Sequence, residues 1–116
     1  MDHTPDDKFV TLYEGWGTGG WGAILTGNIM VDENHCGTPG DLVVRKQRTE
    51  EEIERWRRYA AACQAGGSPT MAQLNHPGRQ SPLPARGSRG FWEKTLAPSA
   101  IPLNFGNGMY LFAATD

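Results

Sequence analysis

The sequence predicts an α/β chain with parallel strands, and three observations carry that prediction. Two stretches, 5–17 and 50–63, have helical apolar spacing. Each leads into a short apolar run, 22–27 and 70–74, without the polar alternation of a half-exposed strand. Such runs fit strands buried on both faces of a parallel sheet. The resulting order of helix, strand, loop, helix, strand is that of right-handed βαβ units.

Thr4, Pro5 and Asp7 open the first helix. Thr4 suits the N-cap, Pro5 the first helical position, and the acidic pair the positive end of the dipole. Phe9, Leu12, Tyr13 and Trp16 fall at i, i+3, i+4 and i+7 and make one apolar stripe. Gly15 and Gly17 fray the end, and Gly19-Gly20 stops it. Gly22 to Gly27 is the first strand, and Asn28 to Val31 either continues it or turns outward. Asp32 to Gly40 is loop by composition. Leu42-Val43-Val44 is too short to assign.

The second helix has the clearest signals. Thr49 and Glu52 form a capping box. Glu51 with Arg55 and Glu54 with Arg58 are i to i+4 pairs in the favourable order, each worth about 0.3–0.5 kcal/mol. Ile53, Trp56, Ala60 and Cys63 line one side, and Gly66-Gly67 supplies the stop. Ser68-Pro69 leads directly into a strand at Thr70–Leu74. From Ser81 onward, Pro and Gly punctuate an irregular tail, and Met109 to Ala114 is apolar without a cap or stop. The organisation expected is one incomplete domain over 1–116, with an ordered core over 4–80 and a loop-rich tail over 81–116.

The totals exclude several function classes. At 116 residues the chain has room for one domain, and a hydrophobic share of 38% is low for a tightly packed one. A formal charge of -2 gives no electrostatic reason to bind nucleic acid or an anionic membrane. The basic run Arg45 to Arg48 is cancelled by Glu50, Glu51 and Glu52. No apolar run approaches bilayer length, and the acidic N-terminus is no secretory signal. Cys36 and Cys63 are expected as free thiols in a reducing cytoplasm.

Three clusters invite a chemical reading. Gly15 to Gly20 fits G-x-G-x-x-G by letters, but the dinucleotide fingerprint needs a strand before it and a helix after it. Here the order is reversed, so a helix-to-strand turn is expected. His35, Cys36, Cys63 and His76 match no zinc spacing, and no metal is expected. No catalytic residue can be assigned from spacing alone. The third cluster, Gln73, His76 and Arg79 around the Pro77-Gly78 turn, closes the second strand. It either caps neighbouring loops or forms a site, since ligands gather at the carboxyl ends of parallel strands. A carboxamide there offers donor and acceptor together, as the edge of a planar heterocycle requires.

At these residues a family resemblance enters. GWGTGGWGAILTGNIMVD (15–32), TMAQLNHPGRQ (70–80) and LAPSAIPLNFG (96–106) resemble the NADH:flavin oxidoreductase, or Old Yellow Enzyme, family. The likeness is to its NADH-oxidase-like branch and covers about residues 9–108. It implies a (β/α)₈ TIM barrel with FMN at the mouth, of which this chain would hold about two βα units. Gln73 would contact the pyrimidine edge of the flavin. Thr26, Gly27 and Asn28 would end the preceding strand near the ring, with Gly27 allowing close approach. His76 and Arg79 would fix the loop and edge the pocket.

The resemblance further implies an ene-reductase type of activity. NAD(P)H would deliver hydride to FMN, which passes it to an activated alkene or another small-molecule acceptor. A barrel of this type takes roughly 250 residues. The chain is therefore expected to be a truncated form whose remaining strands would lie before Met1 and after Asp116. The alternative is a non-catalytic remnant, inactive alone or completed by an oligomeric partner or a second chain.

Overall fold

The structure is a computed structural model that describes residues 3–81, 94–104, 110–111 and 113–114. Helix α1 (Asp7–Gly17) leads to strand β1 (Ile24–Met30), a loop and the short strand β2 (Leu42–Val43). Helix α2 (Glu50–Cys63) comes next, then β3 (Thr70–Asn75) and a 3₁₀ turn at Gly78–Gln80. Beyond it lie two-residue strands, β4 (Thr95–Leu96), β5 (Leu103–Asn104), β6 (Tyr110–Leu111) and β7 (Ala113–Ala114). The main sheet has the order β2-β1-β3 and all its pairs are parallel. The α/β class and the parallel sheet expected from the sequence are thus present. Leu42-Val43 resolves as an edge strand, and β1 continues through Asn28 to Met30 rather than ending at Gly27.

Local chemistry sets most boundaries. The N-cap of α1 is Asp6, whose carboxylate accepts from the Lys8 and Phe9 backbone N–H groups. Thr4, expected as the cap, lies two residues upstream and is buried. Its hydroxyl instead accepts from the Arg55 guanidinium at 3.1 Å. The capping box of α2 forms as expected, with Thr49 and Glu52 exchanging side-chain and backbone bonds. Glu51 and Arg55 pair at 2.7 Å. Arg58 does not pair with Glu54. It crosses to Asp7 of α1 at 2.7 Å, and Glu54 takes Arg57 at 3.3 Å. A charge on the neighbouring helix's first turn outcompetes the local partner.

The core lies between the helices and one face of the sheet. Tyr13, Ile24, Ile29, Leu42, Tyr59 and Cys63 are buried together, with Phe9 and Trp56 packed against them. Tyr13 and Tyr59 meet edge to face, with centroids 4.8 Å apart. The predicted stripes need two corrections. Leu12 and Trp16 are exposed, and Ala60 is exposed while Tyr59 takes the central place. An aromatic ring at 59 fills space that an alanine at 60 cannot, so the helix turns its tyrosine inward. Both cysteines are free thiols, as expected, and both are buried.

The two helices touch at their ends through glycines. A Cβ on Gly17 would collide with the Ala62 carbonyl, and one on Gly66 would collide with the Gly17 carbonyl. Gly15 and Gly17 close α1, and Thr18 to Gly20 turns the chain, with Gly20 at φ +77°. The glycine-rich stretch is the helix-to-strand turn the sequence predicts. None of the described helices is long and apolar enough to cross a membrane.

The expectation that the strands are buried on both faces fails among the described residues. Leu25 is 58%, Met71 56% and Leu74 64% exposed. One sheet face packs against helices; the other is open at Leu25 and Met71, while its downstream end, at Met30 and Val43, is buried with Cys36.

Gly17→Ala and Gly66→Ala should each destabilise the chain by about 1–3 kcal/mol, because backbone rather than a pliable side chain must move. Gly15→Ala, with open space at its Cβ, should be neutral or stabilising by up to about 1 kcal/mol. Urea denaturation of the three variants distinguishes these outcomes.

Candidate functional site

The site builds from an irregularity in β1. Leu25 is paired with Met71 and Asn28 with Gln73, so β1 advances three residues where β3 advances two. The extra residue is a β-bulge at Thr26-Gly27. In a regular strand, residues three apart point to opposite faces. The bulge cancels that alternation and brings Asn28 to the face that carries Leu25 and Met71.

A bulge leaves backbone groups without ladder partners, and two side chains supply them. The Thr26 hydroxyl accepts from the Gln73 backbone N–H at 3.0 Å and donates to the Gly27 carbonyl at 2.8 Å. The Gly27 N–H donates to the Tyr13 hydroxyl of α1 at 2.8 Å. Burial first, then the hydrogen bond with Tyr13, pushes the Tyr59 phenol well above the ordinary tyrosine range. The Tyr59 phenol that backs Tyr13 therefore stays neutral at physiological pH. The helix layer thus holds the bulge from behind.

On the open face the Gln73 carboxamide donates to the Asn28 carboxamide oxygen. Both side chains are exposed, next to the apolar surface of Leu25 and Met71. Each amide keeps further donor and acceptor positions beyond the shared bond. Such a pair, over an apolar floor, suits the N–H and C=O edge of a flat ring. Thr26 and Gly27 serve the bulge itself. The hydroxyl of Thr26 is buried and engaged with backbone, and a Cβ at Gly27 would face Tyr13, 3.6 Å from its hydroxyl.

The turn after β3 carries His76 and Arg79. Gly78, at φ +53°, donates its N–H to His76 Nδ1 at 3.1 Å, so the imidazole is fixed by its own turn. The other nitrogen of His76 lies 3.7 Å from Asp32 Oδ2. Arg79 is exposed and lines a shallow cleft of about 300 Å³ with Gly78, Ala97 and Ser99. A larger cleft of about 540 Å³, between His3, Phe9, Asp41 and Arg55, contains none of the predicted site residues.

Sequence reading missed Asp32 and Tyr13. Asp32 joins His35 and His76 in a cluster whose ligating atoms lie within 4.8 Å of one another. Its signal is the register: Met30 pairs with Asn75, so residues just past the two strand ends must meet. Cys63, in the core between the helices, stands apart from that cluster. Burial raises the thiol pKa of Cys36 and of Cys63, which keeps both in the unreactive form.

With the geometry described, comparison with known proteins gives a consistent result. No protein-family model matches the chain. It is 49% identical over 112 residues to an NADH-dependent flavin oxidoreductase, iliE, of Neonectria sp. (strain DH2). It is 43% identical over 106 residues to iliE of Hypocrea jecorina (strain QM6a), and 42% over 105 residues to iccE of Talaromyces variabilis, both also named NADH-dependent flavin oxidoreductases. These alignments take in 96%, 90% and 90% of this chain. The chain spans only 14%, 26% and 25% of those relatives' own lengths. The family resemblance seen in the motifs is therefore shown, over nine-tenths of the chain.

If the Thr26 hydroxyl holds the bulge, Thr26→Val should cost about 1–3 kcal/mol by leaving the Gln73 N–H and Gly27 carbonyl without it. Thr26→Ser should restore most of that. Urea midpoints, with amide exchange at Gln73 as the local readout, check both.

Proposed function

We infer that this chain, related to the NADH-dependent flavin oxidoreductases over nine-tenths of its length, forms the flavin-gripping part of such an enzyme. The bound flavin is proposed to be FMN, and NADH or NADPH the reductant. The observation that carries this reading is the amide pair of Gln73 and Asn28 on an open sheet face. It stands at the downstream half of parallel strands, where α/β folds present their ligands.

The residues have separable roles in this reading. Gln73 and Asn28 present donors and acceptors to the polar edge of the ring and fix its orientation. Leu25 and Met71 supply apolar contact, which favours a flat aromatic body over water. Thr26, Gly27 and Tyr13 keep the bulge rigid, so the amides are held at a set position before any ligand arrives. His76 and Arg79 shape the pocket edge, and Arg79 contributes a permanent positive charge there. FMN, when bound, supplies the hydride chemistry, passing reducing equivalents to an activated alkene or another small acceptor. No residue of this chain is assigned a proton-transfer step.

The architecture proposed for the whole is a (β/α)₈ barrel in which β1 and β3 are the second and third strands. The parallel β1-β3 pair bridged by α2 supports it. A second reading has a specific observation behind it. The outer edge of β3 pairs with none of the described strands, and its face is open. An exposed parallel edge of this kind calls for a covering strand. The chain would then act only when further strands, in cis or from a partner chain, complete the pocket. A reducing compartment such as the cytoplasm belongs to either reading, supported by two buried free thiols.

The test uses the chain itself and a chimera in which it replaces the matching segment of a relative. The chimera should bind FMN and oxidise NADH, and Gln73→Ala should weaken FMN binding about ten- to a hundredfold. Activity in the chimera but not in the chain alone favours the second reading. Unchanged FMN affinity on Gln73→Ala contradicts the assignment.

A further inference from the structure

The loop leaving β1 and the turn leaving β3 meet in a partly buried polar cluster of which the proposed flavin site uses only His76, at its edge. Asp32 lies two residues beyond β1, and its Oδ1 accepts from the Asn34 backbone N–H at 2.9 Å and from the Asn34 side chain at 3.2 Å. Its Oδ2 faces two imidazoles. His35 Nδ1 lies 2.7 Å away and His76 Nε2 3.7 Å away. The two rings sit side by side with centroids 4.9 Å apart. His35 is buried, and its Nε2 is 3.0 Å from the backbone N–H of Leu96 in β4.

A backbone amide can only donate, so Nε2 of His35 must accept. The single proton of the neutral ring therefore sits on Nδ1 and is donated to Asp32. One hydrogen bond decides the state of the other. Leu96 is 61 residues further along the chain, so a tautomer set by Asp32 holds a distant segment in place.

We propose that Asp32 and His35 form an acid-releasable clasp that secures β4 across the ends of β1 and β3. Asp32 selects the Nδ1–H tautomer, and Nε2 then grips the Leu96 amide. When His35 takes a second proton, that proton can go only to Nε2. Two N–H donors then face each other and the bond to Leu96 breaks, while the pair with Asp32 becomes ionic and persists. Thr95 remains attached, because its hydroxyl donates to the Ser81 carbonyl and the Ser81 hydroxyl donates to the Cys36 carbonyl. The release is thus local to Leu96 and the residues just after it.

Among the described residues, few charged groups surround His35. Asp32 and His76 face the ring directly. Cys36 is its neighbour in the chain, with Glu33, Asp41 and Arg45 close enough to act on that thiol. Of the described residues in β4, neither Thr95 nor Leu96 is titratable, and Lys94 just before it is exposed. Burial raises the Asp32 carboxyl, but the Asn34 backbone bond, the His35 bond and the two imidazoles more than offset it, so the net shift is downward. Asp32 accordingly stays an ionised acceptor beside the two imidazoles.

The same geometry argues against a resident divalent metal on these three groups. A metal on His35 Nδ1 would require the proton on Nε2, opposite to what the Leu96 amide demands.

Nitrogen NMR of the His35 ring in the purified chain, combined with amide exchange across a pH titration, tests the clasp. At neutral pH the Nδ1–H tautomer should dominate. As the ring's own signals report the second proton, Leu96 amide protection should fall about tenfold or more. Protection at Val31, which donates to Asn75 between β1 and β3, should hold. Asp32→Asn, whose amide can donate or accept, should mix the tautomers and lower Leu96 protection already at neutral pH. Equimolar Zn²⁺ should leave the ring signals unmoved. An Nε2–H tautomer, Leu96 protection indifferent to the second proton, or zinc-shifted signals of both histidines would overturn the proposal. None of these readouts depends on flavin binding.

Discussion

The structure depends on a single extra residue in β1. A two-residue side-chain period would send Leu25 and Asn28 to opposite sides of the sheet, and the bulge at Thr26-Gly27 puts them on the same one. With Asn28 turned to the Gln73 side, two carboxamides meet beside an apolar floor. Without it Asn28 would point into the layer that holds Tyr13 and Tyr59, where a primary amide would be costly to bury. The presence of a site on this face is therefore a consequence of register.

Holding that register requires partners for the backbone groups the bulge displaces. Thr26 takes one pair from within the sheet, and Tyr13 takes the Gly27 N–H from the helix layer. Tyr13 can serve only because α1 lies close, and α1 lies close because Gly17 and Gly66 let the two helix ends meet at backbone distance. Tyr59 packs on Tyr13 and fixes its ring. A line of contacts thus runs from a glycine pair, through two phenols, to the orientation of an asparagine on the far side of the sheet. Rigidity in the exposed amides is inherited from residues that no ligand would touch.

What the sequence revealed was local. The capping box of α2, its glycine stop, the strand at 70–74 and the helix-to-strand turn at 15–20 each rest on neighbours within a few positions. The motif around Gln73 and His76 likewise lies within one turn of chain. What it concealed was non-local or below the length of a pattern. Asp7 captures Arg58 from another helix, and β2 is two residues long. The clustering of Asp32, His35 and His76 needs the strand register before it can be seen. The bulge hid itself by breaking the period on which strand reading relies, so the reach of β1 past Gly27 stayed open. The glycine inside an apolar run was the available signal. Burial on both faces rests on an apolar run without alternation, and such a run cannot report which face finds a partner.

The most direct test of the account is the proximity of two side chains in solution. Nuclear Overhauser contacts between the carboxamide protons of Asn28 and Gln73 should be present in the purified chain, together with contacts from Asn28 to Met71. They should vanish when one residue of the bulge is deleted, which returns β1 to a regular period. If Asn28 instead shows contacts to the rings of Tyr13 and Tyr59, the bulge does not direct the amide outward, and the proposed ligand face is lost with it.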